Sequence, residues 1–290
     1  MPITKAVITA AGWGTRFLPA TKSIPKEMVP VVDRPAIHYV VQEAVESGIR
    51  LIVLVTAPEK KAIEDYFDRM PELERLLEAK GDMATLAEVR RPAQMARFCA
   101  VRQQEKAGLG HAVLAAREVI GNEFFAVLLP DDLIDGPEPC LRQMLRVHEQ
   151  YGGSVVAVER VPREAVSRYG IVAPELLSGR VYRLRDMVEK PSPENAPSDL
   201  AIVGRYLLSP RLFDILEHTP AGRGNEIQLT DGIRALLREE PVYALEFEGQ
   251  RHDTGNKLGF LKATVSYALR HPELGPAFRD YLCSLNVCHD

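Results

Sequence analysis

The sequence predicts an α/β fold: a mostly parallel sheet flanked by helices, with a mixed, more antiparallel lobe inserted in its second half. Three observations lead there. Largely apolar runs recur at 6–10, 51–55 and 124–129, and such runs read as strands buried on both faces. Helical patterns stand between them, which makes strand–helix–strand units and a Rossmann-like parallel sheet. Beyond Val158 the rhythm loosens into short segments parted by Gly and Pro, which reads as antiparallel pairing.

The first run, Ala6-Val7-Ile8-Thr9-Ala10, breaks into Gly12-Trp13-Gly14-Thr15-Arg16, with Lys22 and Lys26 close behind. Glycines let the backbone approach a bulky anion, successive N–H groups can form an anion-binding nest, and Arg supplies a planar fork for phosphate oxygens. A dinucleotide-binding fingerprint would need glycine at position 17, where the chain has Phe17. A Walker A loop would need Gly-Lys-Ser/Thr, where it has Gly14-Thr15-Arg16. The loop is therefore phosphate-binding in chemistry without either familiar pattern.

Pro35 opens a helix whose apolar face is Ile37, Val40, Val41, Ala44 and Val45, and Ser47-Gly48 closes it. The strand 51–55 follows. From Lys60 to Met95 the pattern is helical and charged, as in surface helices inserted between sheet strands. Phe98 to Arg102 is a strand delivering Gln103 and Gln104 to a loop that ends Gly108-Leu109-Gly110-His111, before a helix from Ala112 to Val119. An amide offers donor and acceptor together, and glycine admits a flat base to the backbone, so this loop suits a nucleobase edge.

The strand Phe124 to Leu129 runs into Pro130-Asp131-Asp132. Ligands of open parallel sheets sit beyond the carboxyl ends of the strands, so Asp131 is expected to face the same crevice as the glycine loop. A carboxylate opposite phosphates calls for a cation between them. Mg²⁺ is the natural one, with Asp131 as its ligand and Asp132 either sharing that task or capping the turn. A helix from Cys140 to Tyr151 and a strand at 155–158 come next, then antiparallel segments around 169–172, 181–188 and 201–208. Among these stands Glu189-Lys190-Pro191. Neighbours on a strand point to opposite faces, so Glu189 and Lys190 serve one pocket only if Pro191 or a bulge turns the chain there; otherwise they are an exposed ion pair. A helix is expected to open near Gly222 with Asn225 as its cap and to run to Arg238. The strand 242–247 precedes Arg251-His252-Asp253-Thr254-Gly255, and Asp253 matches Asp131 as a second strand-end carboxylate able to hold the same Mg²⁺. Helices from Lys257 and from Glu273 close the chain, with enough Leu, Phe and Tyr to pack on the main domain or on another subunit.

The 290 residues carry a formal net charge of −4, so no global field draws them to nucleic acid or to an acidic membrane. No leader-like segment or apolar run of membrane-spanning length is visible, and the chain reads as cytosolic. Cys99, Cys140, Cys283 and Cys288 show no metal-ligand spacing; with His289 the last two sit at an end expected to fray, and all four read as reduced structural thiols.

Taken in order, Ala11-Gly12-Trp13-Gly14-Thr15-Arg16, Pro25-Lys26-Glu27-Met28, Gly108-Leu109-Gly110-His111-Ala112, Leu129-Pro130-Asp131, Val188-Glu189-Lys190-Pro191, Val203-Gly204-Arg205-Tyr206, Glu226-Ile227-Gln228-Leu229-Thr230-Asp231 and Asn256-Lys257-Leu258-Gly259 resemble the sugar nucleotidyltransferases. Four of them, Pro25-Lys26-Glu27-Met28, Gly108-Leu109-Gly110-His111-Ala112, Glu226-Ile227-Gln228-Leu229-Thr230-Asp231 and Asn256-Lys257-Leu258-Gly259, look like the bacterial branch that uridylylates glucose-1-phosphate. The resemblance spans nearly the whole chain. It implies a single nucleotidyltransferase domain, glycosyltransferase-A-like. Residues 1–160 would mainly bind nucleotide, 161–256 mainly sugar, and 257–290 would form a helical C-terminal segment.

The implied reaction joins UTP and glucose-1-phosphate into UDP-glucose and pyrophosphate. Its implied catalytic residues are Arg16, Lys26 and Lys190. Ala11, Gly12, Gly14, Thr15, Gln103 and Gly108 would hold the nucleotide; Gly170, Glu189, Lys190, Gly204 and Glu226 the sugar phosphate; Asp131 and Asp253 the Mg²⁺. The resemblance also suggests a homo-oligomer. Two departures stand out: Thr9 where that branch commonly has Pro, and Trp13 where an aliphatic residue is usual and where the indole would narrow the nucleotide pocket.

Overall fold

The computed structural model describes residues 2–285 of the chain; Cys288 and His289 lie outside the described residues. The first half runs β1 (Lys5–Thr9), β2 (Pro30–Val31), β3 (Arg34–Pro35), α1 (Ala36–Glu46), β4 (Leu51–Thr56), α2 (Lys61–Phe67), α3 (Pro71–Lys80), α4 (Met83–Gln94), β5 (Arg97–Arg102), α5 (Leu109–Leu114), α6 (Arg117–Ile120), β6 (Phe125–Leu128), β7 (Asp132–Asp135) and α7 (Cys140–Tyr151). The second half runs β8 (Ser154–Arg160), β9 (Gly170–Ser178), β10 (Val181–Glu189), β11 (Leu200–Leu208), α8 (Arg211–His218), α9 (Leu229–Leu236), β12 (Val242–Glu246), β13 (Gln250–Asp253), α10 (Lys257–Arg270) and α11 (Gly275–Ser284).

Among the described residues nine strands make one sheet, in the order β5-β4-β1-β6-β11-β8-β12-β10-β9. β5, β4, β1 and β6 are parallel, with Ile8 opposite Leu54 and Leu128. The antiparallel segments do not form a sheet of their own. β11 inserts antiparallel between β6 and β8, β12 pairs parallel with β8, and β10 and β9 complete the edge.

Alternation along the strands explains why the runs are apolar throughout. Ala6, Ile8, Ile52, Leu54, Ala126 and Leu128 pack on one face with Ile37 and Val41 of α1 and Leu141 and Met144 of α7. Val7, Val53, Phe125 and Val127 pack on the other with Val113 of α5, Phe213 and Leu216 of α8 and Ile233 of α9. Fully burying each such side chain contributes roughly 1.5–3 kcal/mol before entropy is counted. No helix among the described residues is long and apolar enough to cross a membrane.

Three local expectations are corrected. The helix expected from Ala112 begins at Leu109, because the Gly108 carbonyl already accepts the Ala112 N–H, and it is divided into Leu109–Leu114 and Arg117–Ile120. Asn225 does not cap a helix: it takes φ +58 in a short 3₁₀ turn, and Glu226 is extended, so α9 starts only after Gln228. The loops after β6 and β12 contain strands, since β7 and β13 pair antiparallel and put Asp132 opposite Asp253. Each is four residues long and its partner lies more than a hundred residues away, so no local periodicity announces it.

Candidate active site

A cavity of about 720 Å³ opens beyond the carboxyl end of β6, and Arg16, Asp131, Gly170, Glu189, Lys190, Gly204, Glu226 and Asp253 all line it. These residues come from seven separate stretches. Asp131 follows β6, Asp253 ends β13, Glu189 ends β10, Gly170 begins β9 and Gly204 lies within β11. Arg16 sits in a 3₁₀ turn after the glycine loop, and Glu226 in the extended segment before α9.

Lys26 does not line the cavity but reaches it through Asp131, with Nζ 2.5 Å from Oδ2. Burial works against the charge of both groups, yet each overcomes it through the other: Asp131 lies below the ordinary carboxylate range and Lys26 above the ordinary amine value. Lys26 is presented by a 3₁₀ turn at Lys26–Met28, and Glu27 in that turn is buried against Lys60 at 2.8 Å. Lys60 lies just beyond β4, so this pair ties the turn to the sheet. Burial pushes the Glu27 carboxyl up, and its Oε1 is a buried acceptor without a hydrogen-bond partner.

Ala11, Gly12, Gly14, Thr15, Gln103 and Gly108 do not line the cavity either. The first four form the loop after β1, where the Gly14 carbonyl accepts the Thr21 hydroxyl at 2.8 Å. Gln103 is buried; its amide donates to the Gly108 carbonyl at 3.2 Å and meets His111 Nδ1 at 3.0 Å. Gly108 has φ +102, and a Cβ there would stand 2.7 Å from Glu226 Cβ and 2.8 Å from the Ile227 carbonyl oxygen. What presses on this glycine is thus the chain's own 226–227 segment, stitched on by Ile227 N–H to the Ala107 carbonyl and Gly110 N–H to the Ile227 carbonyl, each at 2.8 Å.

The Glu189-Lys190 pair does share one pocket, but neither Pro191 nor a bulge causes it. Lys190 itself takes φ +46 and turns the chain, its N–H donating to the Tyr169 carbonyl at 2.9 Å. Its Nζ lies 3.0 Å from Glu189 Oε1, while Thr230 donates to Oε2 at 2.8 Å.

Sequence reasoning missed two side chains, Arg205 and Arg251, and left Asp132 between two roles. Arg205 is fully buried and pairs with Glu43 at 2.7 Å; it also donates to the carbonyls of Asp132 at 2.7 Å and Leu129 at 3.3 Å. It therefore braces the turn that carries Asp131. Arg251 is bound by Glu159 at 2.6 Å and by Asp132 Oδ1 at 2.6 Å. Asp132 uses its other oxygen to accept the Gly204 N–H at 2.9 Å. Burial pushes the Asp132 carboxyl up and Arg251 opposes the shift. Asp132 is thus committed to bracing. The visible signal for Arg205 was one charge in an otherwise unbroken buried strand; Arg251 had none.

Among the described residues no group of three or more His, Cys, Asp or Glu side chains is arranged to hold a metal. Two carboxylates do converge. A Cβ placed on Gly255 would lie 2.8 Å from Asp131 Oδ2 and 2.9 Å from Asp253 Oδ1, so the two carboxylates flank this glycine, Asp253 Oδ1 accepting its N–H at 2.9 Å and Asp131 Oδ2 facing Lys26. Two hard oxygen donors fit Mg²⁺, which takes few protein carboxylates and completes its shell with phosphate oxygens and water.

The family model described as nucleotidyl transferase matches residues 5–269. The chain belongs to this family. It is 48% identical over 285 residues, 98% of its length and 99% of the relative's, to a UTP–glucose-1-phosphate uridylyltransferase of Staphylococcus epidermidis. It is 51% identical over 280 residues, 97% of its length and 94% of the relative's, to one of Bacillus subtilis. Among solved structures it superposes on a UTP-bound UGPase from Acinetobacter baumannii with TM-score 0.92 at 47% identity, covering 98% of this chain and 100% of that one. A UDP-glucose pyrophosphorylase complexed with UDP-glucose gives TM-score 0.84 at 43% identity, covering 93% and 100%. As a family member the chain is a nucleotidyltransferase, and its mixed α/β architecture is the family's.

Proposed function

We propose that this enzyme makes UDP-glucose and pyrophosphate from UTP and glucose-1-phosphate. The observation that carries the reading is the single cavity that gathers Arg16, the strand-end carboxylates Asp131 and Asp253, and Glu189 with Lys190, with Lys26 bound to Asp131. The activity of the uridylyltransferase relatives supports the choice of substrates.

An oxygen of the sugar phosphate attacks the α-phosphorus of UTP, a new P–O bond forms, and the bond to the β-phosphate breaks to release pyrophosphate. The attacking oxygen is already anionic at neutral pH, so no Ser, Cys or His nucleophile and no general base is needed. Catalysis is positioning and charge neutralisation. Arg16 and Lys26 bind the triphosphate and stabilise the charge that leaves with pyrophosphate. An ammonium has three donors, so one bond to Asp131 leaves Lys26 able to donate to phosphate oxygens as well. Ala11, Gly12, Gly14 and Thr15 offer backbone to the phosphates, and Gln103 with the Gly108 backbone meets the uracil edge. Lys190 grips and aims the sugar phosphate, while Glu189, Gly170, Gly204 and Glu226 line the sugar. Asp131 and Asp253 would hold Mg²⁺, which supplies Lewis-acid charge neutralisation at the α-phosphate when bound.

On this reading residues 1–160 serve mainly the nucleotide and 161–256 mainly the sugar. The enzyme works in the cytoplasm as a homo-oligomer, and the exposed Leu258, Leu261 and Leu274 of the C-terminal segment support association. Equimolar UDP-glucose and pyrophosphate from UTP, glucose-1-phosphate and Mg²⁺ is the expected result; absence of both products defeats the proposal.

A further inference from the structure

Trp13 is the chain's only tryptophan, and the reaction as derived gives it no task. It stands between Gly12 and Gly14, 66% exposed, where an apolar ring gains little from burial. Its ring carries the Lys106 ammonium 3.2 Å from the centroid. That ammonium also pairs with Glu59.

The three side chains come from three neighbouring strand ends. Trp13 follows β1, Glu59 lies in the turn after β4, and Lys106 is in the loop after β5, the strands being ordered β5-β4-β1 in the sheet. The glycine loop is held at Gly14, whose carbonyl accepts the Thr21 hydroxyl and the Phe17 N–H, whereas a Cβ on Gly12 would touch nothing within 4 Å. Lys106 adjoins Ala107, whose carbonyl is bonded to Ile227 N–H at 2.8 Å, so the loop it anchors is itself fixed. A cation held between an aromatic face and a carboxylate therefore joins the glycine loop at Trp13 to the fixed Gln103–Gly108 loop.

We infer that Trp13, Lys106 and Glu59 form a clasp that sets the spacing of the two nucleotide-holding loops, making Trp13 and Lys106 positioning residues for the nucleoside triphosphate. The inference rests on the reading that these loops hold UTP. It explains why an indole stands in a loop whose other members are small: the ring's face is the acceptor for Lys106. The clasp joins the two loops assigned to the nucleotide, and none of its members lines the cavity beside Glu189 and Lys190.

Steady-state kinetics with both substrates varied, on the wild type, Trp13→Ala, Lys106→Met, the double variant and Trp13→Phe, test this. Loss of an exposed cation–aromatic contact corresponds to about a two- to fivefold change in affinity. The expected result is a rise of that size in KM for UTP in each single variant, with KM for glucose-1-phosphate little moved. The double variant should be no worse than the singles, because one contact is lost once. Trp13→Phe, which keeps an aromatic face, should recover part of the loss. The wild-type tryptophan emission should respond to UTP and not to glucose-1-phosphate alone. Unchanged KM for UTP, equal rises for both substrates, or additive losses in the double variant overturn the clasp while leaving the activity standing. A wild type that releases no pyrophosphate from UTP overturns the parent reading and the clasp with it.

Discussion

Lys26 and Asp131 meet at 2.5 Å at the head of the cavity, and each keeps its charge in spite of burial because of the other. Replacing Lys26 by Ala removes a preorganised donor from the leaving pyrophosphate. We expect kcat to fall about 10²–10³-fold, some 2.7–4 kcal/mol, with KM for glucose-1-phosphate much less affected; steady-state kinetics check it. A second residue-scale expectation concerns pH. Burial, helped by the charge of Arg34, pushes the His38 imidazole down from 6.5 to about 4. The unfolded chain then takes up this proton first as the pH falls, so stability is intact above about 6.5 and declines toward pH 4, by on the order of 3 kcal/mol when complete. Chemical denaturation between pH 7 and 4 should show that decline, and His38→Gln should flatten it. At this scale the legible residues were those standing where an apolar run stops at a glycine or aspartate: Arg16, Asp131, Asp253. Arg205, Arg251 and the bracing role of Asp132 were not, because their partners are brought to them by strands distant in the chain.

Elements position these groups by close approach as much as by strands. Gly108 has φ +102 and lies against Glu226 and Ile227, so Gly108→Ala meets both a disfavoured backbone and a collision at 2.7 Å. It should cost about 1–3 kcal/mol of stability and weaken substrate binding by displacing Glu226; thermal unfolding beside substrate titration would show both. From the sequence, glycine there admits a base; the structure adds a second demand, a neighbouring chain segment that no window of sequence contains. The same limit hid β7 and β13, whose pairing sets Asp132 opposite Asp253, and it displaced the start of α9. The long helices α1, α7 and α10 were legible because each carries its own periodicity and end signals; Asn256, for example, accepts the Gly259 N–H at 2.8 Å at the start of α10.

For the whole molecule, the parallel half of the sheet followed from its apolar runs, whereas the central place of β11 did not, since antiparallel insertion between β6 and β8 leaves no mark in composition. β11 carries Gly204 into the cavity and Arg205 into the core, so it joins the two halves mechanically. Arg205→Met leaves Glu43 buried without its cation and should cost about 3–5 kcal/mol, read as a lower denaturation midpoint with an unchanged slope. The central claim is that this one cavity transfers a uridylyl group to glucose-1-phosphate. It is tested most directly by pyrophosphate release from the purified protein with Mg²⁺ and glucose-1-phosphate, UTP and dTTP run side by side. Release strongly favouring UTP is the predicted result; release favouring dTTP, or none from either, would contradict it.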